Sequence, residues 1–370
     1  MEGTREQADV IVSGRYLLPT WRHAERIEDG AVAVLRDEII AVGGRAELTA
    51  RFAEAEELHE PAGLIMPGLI NTHTHAAMSL LRGLSDDLPL MTWLHDHIWP
   101  AEGRWVSEEF VTDGTRLAVA EMLRGGITCF NDMYFFPDVT GRVAATAGMR
   151  AVLGLILIDF PSAWADGPDE YLHRGLEVHD QFRNDSLIST AFAPHAPYSV
   201  SDAPLERVRV LADELEIPIH MHVHETRDEI MQGLSRHGTR PLAHLLKLGL
   251  VSPALAAVHM TQLEDDEISA FAETGASVVH CPESNLKLAS GFCPVSRLLA
   301  AGINIALGTD SAASNNDLDM FGEMRTASLV AKAVGKSAAG MPALDSLRAA
   351  TLNGAIALGI EGRTGSIETG

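Results

Sequence analysis

The residues best suited to chemistry in this chain are imidazoles and carboxylates placed where strand-like runs end. The clearest case is Pro67-Gly68-Leu69-Ile70-Asn71-Thr72-His73-Thr74-His75, a short apolar run that stops in His-x-His. Side chains two apart on a strand point to one side, so His73 and His75 can offer two imidazoles to one point beyond the strand's end. Farther on, Ile219-His220-Met221-His222-Val223-His224-Glu225 ends a second run in alternating histidines, and Gly308-Thr309-Asp310-Ser311 ends a third in a carboxylate. His73, His75, one imidazole of the second run and Asp310 make a ligand set for a divalent first-row ion, zinc foremost, with a position left for water. Alternation alone puts His220, His222 and His224 on one face. Glu225, three residues after His222 and able to reach the bound water or the substrate, favours His222 as the ligand.

Such an ion lowers the pKa of its water to near neutrality, so a hydroxide nucleophile is available at physiological pH. Asp310 would then accept the released proton, and Glu225 would carry a proton to the substrate atom that becomes basic as hydroxide adds. His259, after another short run, would hold the oxygen of the tetrahedral adduct. The structural alternatives are a helix N-cap for Asp310 and a loop anchor for His259.

These groups need a scaffold that gathers many strand ends at one mouth. Apolar runs at 64–71, 127–132, 151–159, 189–195, 217–222, 256–259, 276–281 and 303–310 alternate with amphipathic segments such as 106–124, 203–216, 265–274 and 295–301. Eight strands that are apolar throughout, alternating with helices, predict an α/β fold, a parallel (β/α)8 TIM-like barrel with its functional groups at the C-terminal strand ends. An open doubly wound sheet is the competitor, but no Gly-x-Gly-x-x-Gly follows the first run and no Walker-type Gly-Lys-Ser/Thr occurs. In the barrel, strand one contributes His73 and His75, strand four His195, strand five His220, His222 and His224, strand six His259, strand seven His280, and strand eight Asp310. Ahead of it, strand-like residues 8–13 and 30–43, with a hairpin turn at Arg36-Asp37-Glu38, predict a small β domain over 1–63; the barrel is expected over 64–360.

Composition narrows the classes of partner. With 28 basic and 51 acidic residues the formal charge is -23, which opposes binding to phosphate backbones or anionic membranes. The three cysteines, Cys129, Cys281 and Cys293, form no Cys-x-x-Cys pair, so neither a disulfide framework nor a thiolate zinc site is expected. Residues 1–7 carry no apolar leader and no apolar run is long enough to span a bilayer, so a cytoplasmic protein is expected.

Taken together, the His-x-His after Pro-Gly-Leu-Ile-Asn, His222 with Glu225, the isolated His259 and Gly-Thr-Asp-Ser at Asp310 resemble the amidohydrolase superfamily. The segments Leu81-Arg82-Gly83-Leu84, Met91-Thr92-Trp93-Leu94, Ile98-Trp99-Pro100-Ala101-Glu102, Ala193-Pro194-His195-Ala196-Pro197-Tyr198, Pro282-Glu283-Ser284-Asn285-Leu286-Lys287-Leu288 and Ala312-Ala313-Ser314-Asn315-Asn316 are similar to the 5-methylthioadenosine/S-adenosylhomocysteine deaminase group, which is often grouped with triazine-type chlorohydrolases. The resemblance implies one zinc ion per chain and hydrolytic removal of the exocyclic amine of an adenine nucleoside. It further implies that Glu102 binds the ribose hydroxyls, that His195 contacts the sugar or purine, and that Glu225 protonates the ring nitrogen beside the attacked carbon. Trp93 and Trp99 lie on a segment after strand one that could close over the purine or simply pack helix against barrel.

Two departures from the group bear on specificity and assembly. Members accepting S-adenosylhomocysteine can use arginines soon after the Gly-Met-Arg stretch; here Gly148-Met149-Arg150 is followed by Leu155 at the matching position, which points to 5'-methylthioadenosine or adenosine instead. Residues 361–370 look like the start of strands that return to the small β domain, and the chain ends at Gly370. An exposed strand edge is therefore expected, which a homodimer could cover. The competing readings are a hydrolase of the same scaffold acting on another purine, pyrimidine or triazine ring, and a catalytically silent barrel serving as a scaffold.

Overall fold

The computed structural model describes residues 7–19 and 26–370; the leaderless reading of residues 1–6 lies outside the described residues. The chain divides into two compact units, Met1–Gly68 with Glu361–Gly370, and Leu69–Ile360.

In the first unit, β1 (Val10–Leu17), β2 (Ile27–Leu35), β3 (Glu38–Gly44) and β4 (Glu56–Ile65) form one sheet in the order β3-β2-β1-β4. The β2–β3 hairpin turns where expected, with Arg36 in the left-handed region (φ 58) and its N–H donating to Asp9 Oδ2 at 2.6 Å. One sheet face buries Ile11, Ala31, Ala33 and Ala41 against Leu48 and Phe52. A second cluster joins Leu17 and Val32 to Ile367 from the C-terminal segment. Strand β4 is an edge whose Leu58 and Leu64 are about half exposed (52% and 51%).

The second unit holds eight parallel strands: β5 (Leu69–Thr74), β6 (Ile127–Asp132), β7 (Arg150–Leu157), β8 (Ile188–Pro194), β9 (Ile219–Val223), β10 (Leu255–His259), β11 (Ser277–His280) and β12 (Asn304–Leu307). They pair in sequence order, and the ring is bridged between its first and last members by the parallel pair Thr74 and Asp310. The expected barrel is therefore present. One expectation needs correction, since the first run, 64–71, is not a single strand. Pro67 has no N–H to give to a ladder, so Leu64 and Ile65 complete β4 while β5 starts at Leu69.

Strand burial follows the apolar pattern: every residue of β5, β9, β10 and β11 is buried. Ile70, Cys129, Val152 and Ala191, from four adjacent strands, pack with Ala355 and Leu358, and full burial of an Ile or Val side chain stabilises by roughly 1.5–3 kcal/mol. The helix Glu108–Arg124 begins at Ser107, whose side chain accepts from the Phe110 N–H. It sits close against the 3-10 turn Ala76–Leu81 because Gly114 has no side chain; a Cβ there would lie 2.4 Å from the Ala77 carbonyl oxygen. That contact braces the chain just after His75.

Candidate active site

The ends of β5, β9, β10 and β12 converge, and with them His73, His75, His222, His259 and Asp310. Strand alternation aims His73 inward, where it is fully buried. Glycine at 308 lets β12 approach β5, because a Cβ there would come within 2.8 Å of both the backbone nitrogen and the Cβ of His73. The Asp310 N–H then donates to the His73 carbonyl at 2.9 Å. His224, His259 and Asp310 all take left-handed backbone conformations (φ 54, 75 and 62), costly for residues with a Cβ and a mark of functional strand ends.

This turn at His224 separates that residue from the other two. His220 and His222 face the barrel interior, whereas His224 swings away and its Nε2 accepts the Leu242 N–H at 3.0 Å. His222 Nε2 lies 3.1 Å from His73 Nε2. His73 Nε2 and His75 Nε2 stand 3.5 and 3.3 Å from Asp310 Oδ1. The opposite ring nitrogens are occupied: His75 Nδ1–H donates to the Met133 carbonyl (2.5 Å), His222 Nδ1–H to the His195 carbonyl (2.9 Å), and His73 Nδ1 meets His220 Nε2 (2.8 Å).

Backbone partners on Nδ1 fix the tautomer of His75 and His222 and leave their Nε2 lone pairs facing the centre. Nε2 of His73 and of His75 both face Asp310 Oδ1, and Nε2 of His222 faces that of His73. Tetrahedral coordination with bonds of about 2.0–2.1 Å separates ligand atoms by about 3.3–3.4 Å, which matches the three contacts His73–His222, His73–Asp310 and His75–Asp310 at 3.1–3.5 Å. His73, His75 and Asp310 form one group able to hold a metal ion, and His73, His222 and His259 another. The electrostatics agree with a demand for positive charge. Burial holds His73 down at about 4. Burial would lower His75 too, but the hydrogen bond and charge of Asp310 outweigh it and raise that residue to about 9. The residues fit a divalent cation.

Around this cluster lies a cavity of about 350 Å³, within the usual size of a small-molecule site. Trp93, Ile98, Trp99, Ile156, Ile158 and Phe160 supply apolar wall, and Glu102, His195 and Glu225 supply polar groups. Among the described residues, no Lys or Arg lines it. Glu225 is 6% exposed, and burial, then the charge of Asp310, pushes its carboxyl up to about 8. Its Oε2 stands 3.8 Å from His259 Nε2. His195 Nδ1 is bonded to the Ser199 hydroxyl at 2.8 Å.

One feature escaped sequence reasoning, and two expectations, for Leu155 and for His280 at the mouth, need correction. Tyr134 donates its hydroxyl proton to Glu102 Oε1 at 2.7 Å, so the carboxylate is held from behind, and burial raises its pKa; a tyrosine following a strand carries no signal of that task. Leu155 does not face the cavity but packs toward the helix Pro168–Phe182, beside Gly175. Strand parity instead turns Ile156 and Ile158 to the cavity, where they supply the apolar wall. His280 is buried (1% exposed) with neither ring nitrogen partnered among the described residues, and it does not line the cavity.

A closed ring of parallel strands with a histidine and aspartate cluster at its C-terminal mouth defines a metal-dependent hydrolase barrel, and residues 64–370 match the amidohydrolase family; the chain belongs to it. Its chemistry is hydrolytic deamination. It is 51% identical over 364 residues to 5-methylthioadenosine/S-adenosylhomocysteine deaminase from Saccharophagus degradans, covering 98% of this chain and 81% of that one. A deaminase of the same name from Teredinibacter turnerae is 48% identical over 98% of this chain and 82% of its own. The solved structure of an adenosine deaminase from Xanthomonas campestris with bound zinc is 56% identical, with a TM-score of 0.97 over 99% of this chain and 83% of that one. Atrazine chlorohydrolase from Arthrobacter aurescens, solved with zinc, shares the fold at 21% identity (TM-score 0.91, 98% and 85% covered). Among the described residues no helix is long and apolar enough to cross a membrane.

Proposed function

We propose that the protein is a zinc-dependent deaminase of adenine nucleosides that prefers 5'-methylthioadenosine or adenosine to S-adenosylhomocysteine. The observation that carries this reading is the cavity itself: a carboxylate, Glu102, held by Tyr134 to face a ribose, across from the histidine and aspartate cluster, with apolar wall and no cation between. A methylthio group suits that wall. A homocysteine carboxylate would be desolvated there without a partner, at a cost of several kcal/mol.

In this reading His73, His75, His222 and Asp310 hold the ion. An ion so held supplies hydroxide from water at neutral pH. Asp310 receives the proton the water gives up. Glu225, protonated at neutral pH because its carboxyl lies at about 8, donates to the ring nitrogen beside the attacked carbon. His259 Nε2 accepts a hydrogen bond from the hydroxyl now on that carbon. As the carbonyl forms, the hydroxyl proton returns to Glu225, and the proton on Asp310 leaves with the amine as ammonia. His195 and Trp93 border the base and sugar, and Glu102 accepts from the ribose hydroxyls.

Loss of adenine absorbance, followed with zinc-loaded protein on 5'-methylthioadenosine, adenosine, S-adenosylhomocysteine and free adenine, tests the proposal. The first two are expected to react well, the third slowly and free adenine least. Equal rates on the methylthio and homocysteine compounds overturn the preference, and turnover confined to free adenine overturns the Glu102 reading. Three buried, unpaired cysteines fit a reducing cytoplasm. The exposed β4 edge supports a homodimer, which sedimentation would test.

A further inference from the structure

The helix Pro282–Lys287 reaches both sides of the reacting centre through two consecutive residues. Ser284, fully buried, donates its hydroxyl proton to Asp310 Oδ2 at 2.6 Å. Asn285, 2% exposed, places Oδ1 2.9 Å from His259 Nδ1. Successive residues on a helix diverge by about 100°, so neighbours naturally serve different targets. We infer that Ser284 and Asn285 are positioning residues with separate duties, Ser284 orienting the Asp310 carboxylate toward the metal ligands and Asn285 orienting His259 toward the substrate.

Both recipients need such help. Asp310 and His259 sit in left-handed backbone conformations (φ 62 and 75), where no regular strand geometry aims the side chain. For Asp310 the two oxygens are divided: Oδ2 takes the Ser284 hydroxyl, while Oδ1 takes the Ser311 N–H at 2.7 Å and faces His73 and His75. A serine has one proton to give. Ser284 Oγ also points toward Ser314 Oγ at 3.0 Å, and the shorter contact to a charged acceptor takes the proton.

For His259, an amide oxygen on Nδ1 requires the proton there and leaves the Nε2 lone pair facing Glu225, 3.8 Å away. Asn285 keeps this contact although its own Nδ2 is buried without a partner among the described residues. An unpaired buried donor costs about 1–3 kcal/mol, so the amide is retained against its packing interest. The helix is anchored at its far end by Lys287, whose Nζ donates to the Ala313 carbonyl and the Asn316 side chain.

The inference rests on the proposed function and makes a split prediction. Zinc-loaded full-length chain carrying Ser284→Ala or Asn285→Leu is measured two ways, by zinc retention against a competing chelator and by steady-state kinetics on 5'-methylthioadenosine across pH. Ser284→Ala is expected to weaken zinc retention about 10–100-fold. Asn285→Leu is expected to keep wild-type retention and lose kcat about 10–100-fold with little change in KM. Asn285→Asp, which keeps an acceptor on Nδ1, should recover much of that rate and shift the pH limb upward. Should Ala or Leu prevent folding, Ser284→Cys, similar in size with a weak donor, and Asn285→Asp carry the same contrast. Losses of retention and rate that move together in both variants, or no loss in either, overturn the inference. A wild type that holds no stoichiometric zinc or releases no ammonia overturns the proposed function instead.

Discussion

The same side-chain types occur in both units with opposite consequences. In the four-stranded sheet, Ser13 Oγ donates to Glu57 Oε1 at 2.8 Å and meets His59 Nδ1 at 2.9 Å, and Arg45 Nε reaches Glu57 at 2.6 Å. At the barrel mouth, His73 Nε2 lies 3.1 Å from His222 Nε2 and 3.5 Å from Asp310 Oδ1, and His75 Nε2 lies 3.3 Å from the same oxygen. In the sheet, Arg45 neutralises the exposed carboxylate, and the hydrogen bonds complete the group. In the barrel, backbone carbonyls take up the outward nitrogens of His75 and His222, and His220 takes up that of His73, so the inward ones face one another and Asp310. A histidine and carboxylate cluster is informative when its protons have been assigned elsewhere and its solvent removed.

The sharpest way to break that contrast is to remove one inward group. His73→Ala or Asp310→Asn is expected to lower kcat by about 10³-fold or more, since the ion's contribution is several kcal/mol and each 1.4 kcal/mol is tenfold. Stoichiometric zinc should be lost with it, measured by metal analysis after dialysis. Activity surviving either change would sink the ligand set. Glu225→Gln comes next, with a loss of about 10²–10⁴-fold in kcat while zinc is retained. The sign of its pH dependence follows from the raised carboxyl, at about 8. The acid form needed for proton donation is present below that value, so kcat/KM should fall as pH rises through it. In Glu225→Gln that alkaline limb should vanish from what remains.

The contrast also explains what could be read in advance. His73 and His75 were legible because a two-residue period on a strand that ends in polar residues has few other uses, and Asp310 because it closes the last apolar run. His222 was preferred to its neighbours only through Glu225; the backbone reversal at His224 that isolates it depends on tertiary packing and leaves no trace in the alternation. Leu155 matches the group's arginine position by its distance from Gly148-Met149-Arg150, yet parity along β7 turns Ile156 to the cavity instead. Tyr134 and Ser284 act by reaching across from other elements, so their tasks exist only once the barrel is closed.

A milder change probes the cavity rather than the ion. Glu102→Gln keeps the shape and the contact to Tyr134 but removes the charge proposed to accept from ribose. A hydrogen bond to a charged group contributes about 1.5–3 kcal/mol, so KM for 5'-methylthioadenosine should rise about 10–100-fold. Little change in kcat is expected. If kcat falls instead with KM unchanged, Glu102 acts at the reacting atoms and not at the sugar.

The smallest effect is expected from Glu57→Gln, which removes the carboxylate of the sheet cluster. Glu57 is held at about 2 by its hydrogen bond from Arg45 and then that from Ser13. A carboxyl so lowered contributes stability that is present above its unfolded value and is lost as pH falls toward 2. The group is solvent-exposed, so the pair is screened by salt and its contribution is small. Thermal unfolding should therefore differ from wild type only slightly at neutral pH and low salt, converge with it in high salt, and match it in acid. Deaminase kinetics and zinc content should not change. A large loss of either would mean that the sheet cluster matters to the active site and that exposure is a poor guide to which of the two clusters does chemistry.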